Sequence, residues 1–262
     1  MNDLIDLDRY PLDRPDSAAW RDLVNACRRE LTENGMYNLE GFLRPGVTDR
    51  AIAEITPVMD SQSYTHKRVH NIYFKPSIPE LPADHPALRK VETISHTLCA
   101  DQIAGGTVVK IYEYAPLVAF IAATMDKPTL FTMQDPLARA NVMSYRKGEA
   151  LNWHFDRSEF TTTLLLQAPE TGGAFEYRTN LRSDADANFE GVAALLDGAD
   201  PQVQTLYVKP GTLNVFRGKN TAHRVTPVGG PRNRLIAVFS YYERPGVMFS
   251  EEERLGFYGR AA

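Results

Sequence analysis

From about residue 138 the chain breaks into short β-rich runs, ARANVMSY, FTTTLLLQ, GAFEY, QTLYV, TLNVF, AHRVTPV and RLIAVFSYY, separated by Gly, Pro, Asn and Asp. Strands this short, at this spacing and with these turn residues, predict an antiparallel sandwich or barrel. One long interruption, Arg178 to Pro201, is rich in Asp, Asn and Ala and reads as an insertion between strands. No internal repeat and no low-complexity segment breaks the pattern.

The first half has a different texture. Between Asp16 and Asn34 the apolar Trp20, Leu23, Val24, Cys27 and Leu31 recur at helical spacing, with Asp16 or Ser17 as cap and Gly35 as stop. Met36 to Leu43 reads as a short strand, Arg44-Pro45-Gly46 as a turn, and Thr48 to Met59 as a second helix. Residues 61 to 86 are polar, carry four prolines and show no sustained period, which predicts a long loop. Helical stretches are expected near 86 to 104 and 116 to 125. No linker separates the halves, so the expectation is an α+β, mainly β, single domain over 1–262. Its parts are helical support and a lid loop over 1–137, a jelly-roll core over 138–245 and a C-terminal tail over 246–262.

At 262 residues with 43% hydrophobic and 24% charged side chains, the chain has ordinary globular composition and room for a sizeable core. A formal charge of -4, with no clustered basic patch, offers nothing for nucleic acid. The two cysteines, Cys27 and Cys99, form no metal pattern or disulfide framework, and a reducing, cytoplasmic compartment is expected. The first residues, MNDLIDLDRYPLDRPD, are acidic and prolyl rather than basic then apolar, and no run approaches a membrane span.

The residues that carry chemistry begin at His154-Phe155-Asp156. With six histidines in the chain one such tripeptide is unsurprising, and alone it fits a polar turn as well as a metal site. Residues i and i+2 of an extended segment project to one side, so His154 and Asp156 are placed to bind one ion while Phe155 points away. A non-haem iron(II) site needs a second imidazole. His223 is the only other histidine in the later β region, and it opens HRVTPV after the turn RGKNTA. Arg234 follows at the start of RLIAVFSYY, where a buried cation demands an anionic partner; Arg232 shares its face by parity. His66 and His70 stand four residues apart, but their surroundings supply no further acid or cysteine, and a solvated loop is the simpler reading.

Together, His154-x-Asp156, His223 and Arg234 among short strands resemble the iron(II)/2-oxoglutarate-dependent dioxygenases on the double-stranded β-helix, a jelly-roll fold. The pattern Tyr145-x-x-Gly148 ahead of the motif resembles the prolyl-hydroxylase-like branch, where a tyrosine there touches 2-oxoglutarate. ENGMYNLEGFL followed by a helix resembles the superfamily's N-terminal support. WHFD, a polar strand, LLLQ, a Gly-Gly turn and FEY are similar to the group that hydroxylates or halogenates free amino acids. The superfamily resemblance covers roughly 35 to 245 and the narrower one about 150 to 180.

The resemblance implies that His154, Asp156 and His223 hold Fe(II). It further implies that 2-oxoglutarate is bound with its far carboxylate on Arg234, with Arg232 as the competing choice and Tyr145 beside it. In the halogenases of that group a small residue replaces the metal-binding carboxylate, so that chloride takes the vacant position; Asp156 therefore argues for hydroxylation. Lysine-acting members carry an acid just past the motif, where this chain has Arg157. Arg157, Arg68, Glu159 and Ser240 are the candidate substrate contacts, and Lys67 is a neighbour of Arg68 with the same reach. The expected substrate is a small polar metabolite such as a free amino acid or a derivative. The alternatives are a peptide or protein residue, as in prolyl hydroxylation, and a non-catalytic jelly-roll sensor or cupin-like metal protein. No nucleic acid or membrane partner is expected, and the oligomeric state is left open.

Overall fold

A computed structural model describes all residues, 1–262. The first half contains α1 (Ala18–Glu33), β1 (Met36–Leu39), α2 (Val47–Gln62), β2 (Tyr64–His70), β3 (Val91–Leu98), α3 (Thr107–Tyr112), α4 (Ala115–Thr124) and β4 (Phe131–Thr132). The second half contains β5 (Ala140–Tyr145), β6 (Leu151–His154), β7 (Thr161–Gln167), β8 (Thr171–Gly172), β9 (Phe175–Arg178) and α5 (Phe189–Leu196). It continues with β10 (Gln204–Leu206), β11 (Leu213–Phe216), β12 (Ala222–Val225), β13 (Val228–Gly229), β14 (Arg234–Phe239), β15 (Tyr241–Tyr242) and α6 (Glu251–Tyr258).

Two antiparallel sheets form the jelly roll. The larger has the order β1-β11-β7-β14-β5-β3-β2, and the smaller has the order β10-β9-β12-β6. Side chains alternate between the faces of each strand, and the larger sheet uses its faces differently. Val142, Leu164, Leu166, Val215, Ala237 and Phe239 turn outward into the main hydrophobic core, which also takes Val24 and Leu31 of α1, Ile55 of α2 and Phe120 of α4. Their neighbours one residue along, among them Met143, Leu165, Asn214 and Ile236, line a cavity between the sheets. The helices thus support one sheet from behind, and its other face is left to build a site. No helix is long and apolar enough to cross a membrane.

Several elements follow the sequence reading. In α1, Ser17 is the cap, its side chain accepting from the Trp20 amide at 3.1 Å, and Gly35 turns the chain with φ +73. α4 lies within two residues of its expected bounds.

Three expectations are overturned. The segment read as a loop from residue 61 holds the last residues of α2 and then β2, the edge strand of the larger sheet. The helix expected near 86 to 104 is a 3-10 turn at Pro86–Leu88 followed by β3. Val91, Ile94 and Leu98 imitate helical spacing, but Thr93, Ser95 and Thr97 at period two form a polar face turned to the cavity. A strand whose inward face is polar inverts the usual signal of alternation. The third case is the C-terminal segment, where Ser250 and Glu253 make a capping box that starts α6, and Tyr258 is buried against the barrel.

Candidate active site

β6 and β12 are neighbours in the smaller sheet, and His154 lies directly opposite His223 in their register. The two imidazole rings are 4.1 Å apart by centroid. Asp156, just beyond the end of β6, has its carboxylate oxygens 3.5 Å from His154 Nε2 and 3.5 Å from His223 Nε2. Phe155 packs the other way, into a cluster with Trp153, Ile72, Leu181 and Val192.

The tautomers are fixed by what each ring touches. His154 Nδ1 donates to the Asn152 carbonyl at 2.8 Å, and His223 Nδ1 donates to the Thr221 carbonyl at 3.0 Å. A carbonyl only accepts, so both Nε2 atoms present lone pairs toward the carboxylate. Burial and the neighbouring His154 push His223 down to about 4, against the pull of Asp156, which keeps it neutral near pH 7. Burial opposes ionisation of Asp156, but the facing imidazoles of His223 and His154 and the Thr161 hydroxyl hold its carboxyl well below the usual carboxylate range. Two imidazoles and one carboxylate, with one ligand atom from each within 4.8 Å of the others, fit a single cation.

The carboxylate has little freedom. Its own amide donates to the Gly218 carbonyl at 3.0 Å, and the Thr161 hydroxyl donates to Oδ2. A Cβ on Gly218 would lie 2.1 Å from Asp156 Oδ2, so this position admits only glycine while Asp156 keeps its pose. Neither Thr161 nor Gly218 is singled out by sequence spacing; their importance comes from strands meeting in space.

The cavity has a volume of about 640 Å³. Arg234 opens β14 opposite Tyr145 of β5, and both side chains face inward. Arg234 is 3% exposed, and its Nη1 has no hydrogen-bond partner. Burial brings it down to about 10, still cationic near neutrality, and a buried unpartnered guanidinium fork suits a carboxylate ligand. Tyr145 is 1% exposed, and burial raises its hydroxyl above the ordinary tyrosine range, so it stays a donor.

The remaining expected contacts divide. Arg68 lines the cavity from β2 and stacks over Phe74 at 4.7 Å; Arg157 lines it too, exposed, pairing with Glu253 at 2.9 Å. Ser240 also borders the cavity, its hydroxyl donating to the Ala138 carbonyl at 3.3 Å. Glu159 does not reach it: exposed on the surface, it pairs with Lys127 at 3.1 Å. Arg232 is likewise displaced, because β14 begins only at Arg234; Arg232 lies exposed in the preceding turn and donates to the Ala168 carbonyl at 2.8 Å. Lys67 points to the opposite face of β2 and pairs with Glu92 at 3.0 Å.

His66 and His70 are brought to the cavity wall by strand periodicity rather than by a helix, and both ring nitrogens of His70 are engaged, by the Asn71 carbonyl and Thr93. Sequence reasoning missed Phe74, whose ring meets His154 edge-on at 5.8 Å, Phe249 just before α6 and Phe257 within it.

No curated protein matches the sequence. Among solved structures the chain is similar to a prolyl-4-hydroxylase from Pseudomonas putida, at 16% identity and TM-score 0.51, covering 82% of this chain and 97% of that one. HygX from Streptomyces hygroscopicus, solved with nickel, 2-oxoglutarate and hygromycin B bound, is similar at 14% identity and TM-score 0.55, covering 82% and 86%. A 2OG-Fe(II) oxygenase family oxidoreductase from Burkholderia pseudomallei matches at 14% identity and TM-score 0.52, covering 86% and 92%. At these identities the likeness establishes the fold, the double-stranded β-helix of that superfamily. The family model described as Halogenase D matches residues 19–248, nearly the whole chain, and the protein therefore belongs to the halogenase D family.

Proposed function

We propose that this protein is an iron(II)/2-oxoglutarate-dependent oxygenase that hydroxylates an unactivated C–H bond of a small polar metabolite, a free amino acid or a derivative of one. The observation that carries the reading is the Asp156 carboxylate, held 3.5 Å from the Nε2 atoms of both His154 and His223. These three residues would hold the iron, and Arg234 with Tyr145 would take the far carboxylate of 2-oxoglutarate. Bound iron and 2-oxoglutarate supply oxidation of the substrate by dioxygen, with succinate and carbon dioxide as coproducts.

The family's name points toward halogen transfer, and residue 156 points away from it. A halide needs a vacant ligand position, and here a carboxylate fixed by Thr161 and backed by Gly218 fills that position. The chain's other contribution is the wall of a deep cavity. Phe74 stands edge-on to His154 with Arg68 stacked on it, and Phe249, Glu253 and Phe257 line the cavity from the C-terminal side. Such a cavity suits a detached small molecule better than a peptide held in an open groove, and exclusion of water protects reactive species.

The test is succinate release by the iron-reconstituted protein with 2-oxoglutarate across a panel of amino acids and related metabolites. At least one metabolite is expected to stimulate succinate release in the wild type and not in Asp156→Ala. Succinate release indifferent to every metabolite, or unchanged in Asp156→Ala, contradicts the proposal.

A further inference from the structure

Arg234 borders two hollows. Besides the main cavity it lines a smaller surface pocket of about 170 Å³ between the turn Ala168–Gly173 and the segment Tyr207–Val208. Leu165, Phe175, Val208 and Arg234 line both, so the wall between them is one layer of side chains. Val208 is half-buried, outside any strand, and next to Tyr207, which is 77% exposed. Gly173, at φ +60, allows the turn to lie against the arginine: a Cβ there would be 3.3 Å from Arg234 Cδ.

This pocket lies at the opposite end of the barrel from α6. Tyr258 of α6 donates to Asn141 Oδ1 at 2.9 Å, and Asn141 pairs with Val238, whereas Arg234 pairs with Tyr145. Four residues of strand separate the two positions, about 13 Å. A ligand on Arg234 is therefore deep from the α6 side and shallow from the Val208 side. The outer rim carries a cation as well, since Arg232 donates to the Ala168 carbonyl at 2.8 Å; Glu170 is the one carboxylate among the pocket's residues.

We propose that the barrel has a second entrance at its Arg234 end, closed by Val208, through which the dicarboxylate cosubstrate enters and the dicarboxylate coproduct leaves while the primary substrate occupies the other end. The inference rests on the reading of Arg234 as the cosubstrate's anchor. It separates two traffic routes that would otherwise share one mouth, so a bound primary substrate does not trap succinate behind it.

A gate changes the rates of entry and exit equally and leaves affinity alone, whereas a residue that merely supports the site changes affinity. The test is stopped-flow uptake and release of 2-oxoglutarate by the manganese(II)-loaded protein, followed by the fluorescence of Trp153 beside His154. Val208→Phe is expected to slow both rates by about fivefold and Val208→Ala to speed both, with the dissociation constant unchanged in each. Unchanged rates in both variants, or rate changes matched by a change in affinity, overturn the second entrance and leave the assignment of Arg234 standing. Absence of 2-oxoglutarate uptake by the wild type overturns the reading of Arg234 and the entrance together.

Discussion

At the residue scale the site depends on contacts that fix one carboxylate. Gly218 is the sharpest case, because any side chain there collides with Asp156 Oδ2. Gly218→Ala should weaken metal binding by about 10- to 100-fold, the usual cost of disturbing a ligand's support, while the fold persists by circular dichroism. Unaltered affinity in a metal titration would show that the carboxylate has another pose. Arg234 makes a different prediction: Arg234→Gln should raise the requirement for 2-oxoglutarate by at least about tenfold, as expected for loss of a charge-assisted buried contact, and that for the primary substrate far less. Steady-state kinetics varying each in turn checks this.

The candidate pair His154 and Asp156 was legible in the sequence because H-x-D encodes a same-side pair in three residues. The partner His223 was legible only through order and context; its register opposite His154 is a property of two strands far apart in the chain. Arg232 and Arg234 were indistinguishable by parity, and what separates them is where β14 begins.

At the element scale, α6 is the piece the sequence reading passed over, although its capping box, Ser250-x-x-Glu253, is a signal that spacing carries. It closes the barrel and is tied down by Arg254, whose Nε donates to the fully buried Asp135 at 2.8 Å. Asp135 also accepts from the Leu137, Ala138 and Phe249 amides. Burial opposes ionisation of Asp135, but these donors hold its carboxyl below the ordinary range. Arg254→Ala leaves that charge buried without its cation and should cost about 3 kcal/mol in denaturant unfolding. A loss below about 1 kcal/mol, the scale of an exposed pair, would mean the bond is incidental.

The elements misread from sequence, β2 and β3, share a cause. His66, Arg68 and His70 on one, and Thr93, Ser95 and Thr97 on the other, are polar residues facing inward because the interior here is a cavity. Hydrophobic patterning finds cores, and these strands face a binding site. By contrast β5, β7 and β14 were legible because their outward faces pack against helices.

For the whole molecule, burying imidazoles links stability to pH. Burial lowers the pKa values of His66, His70 and His223 from their ordinary value, His223 to about 4. Between that value and the unfolded value near 6.5 the unfolded chain binds more protons than the native one, so stability rises with pH there and is lost as pH falls through the window. His223 alone accounts for about 3 kcal/mol of this loss. Thermal unfolding in chelator should show Tm dropping from pH 7 to pH 5 more steeply in the wild type than in His223→Gln. Parallel curves would contradict the placement of a neutral, buried His223.

With Asp156 in the position a halide would need, this member of the halogenase D family is expected to insert oxygen. The direct measurement is the mass of the product formed from the metabolite that triggers succinate release, under labelled dioxygen and excess chloride. One labelled oxygen atom in the product and no chlorine is the expected result. A chlorinated product from the wild type would contradict it.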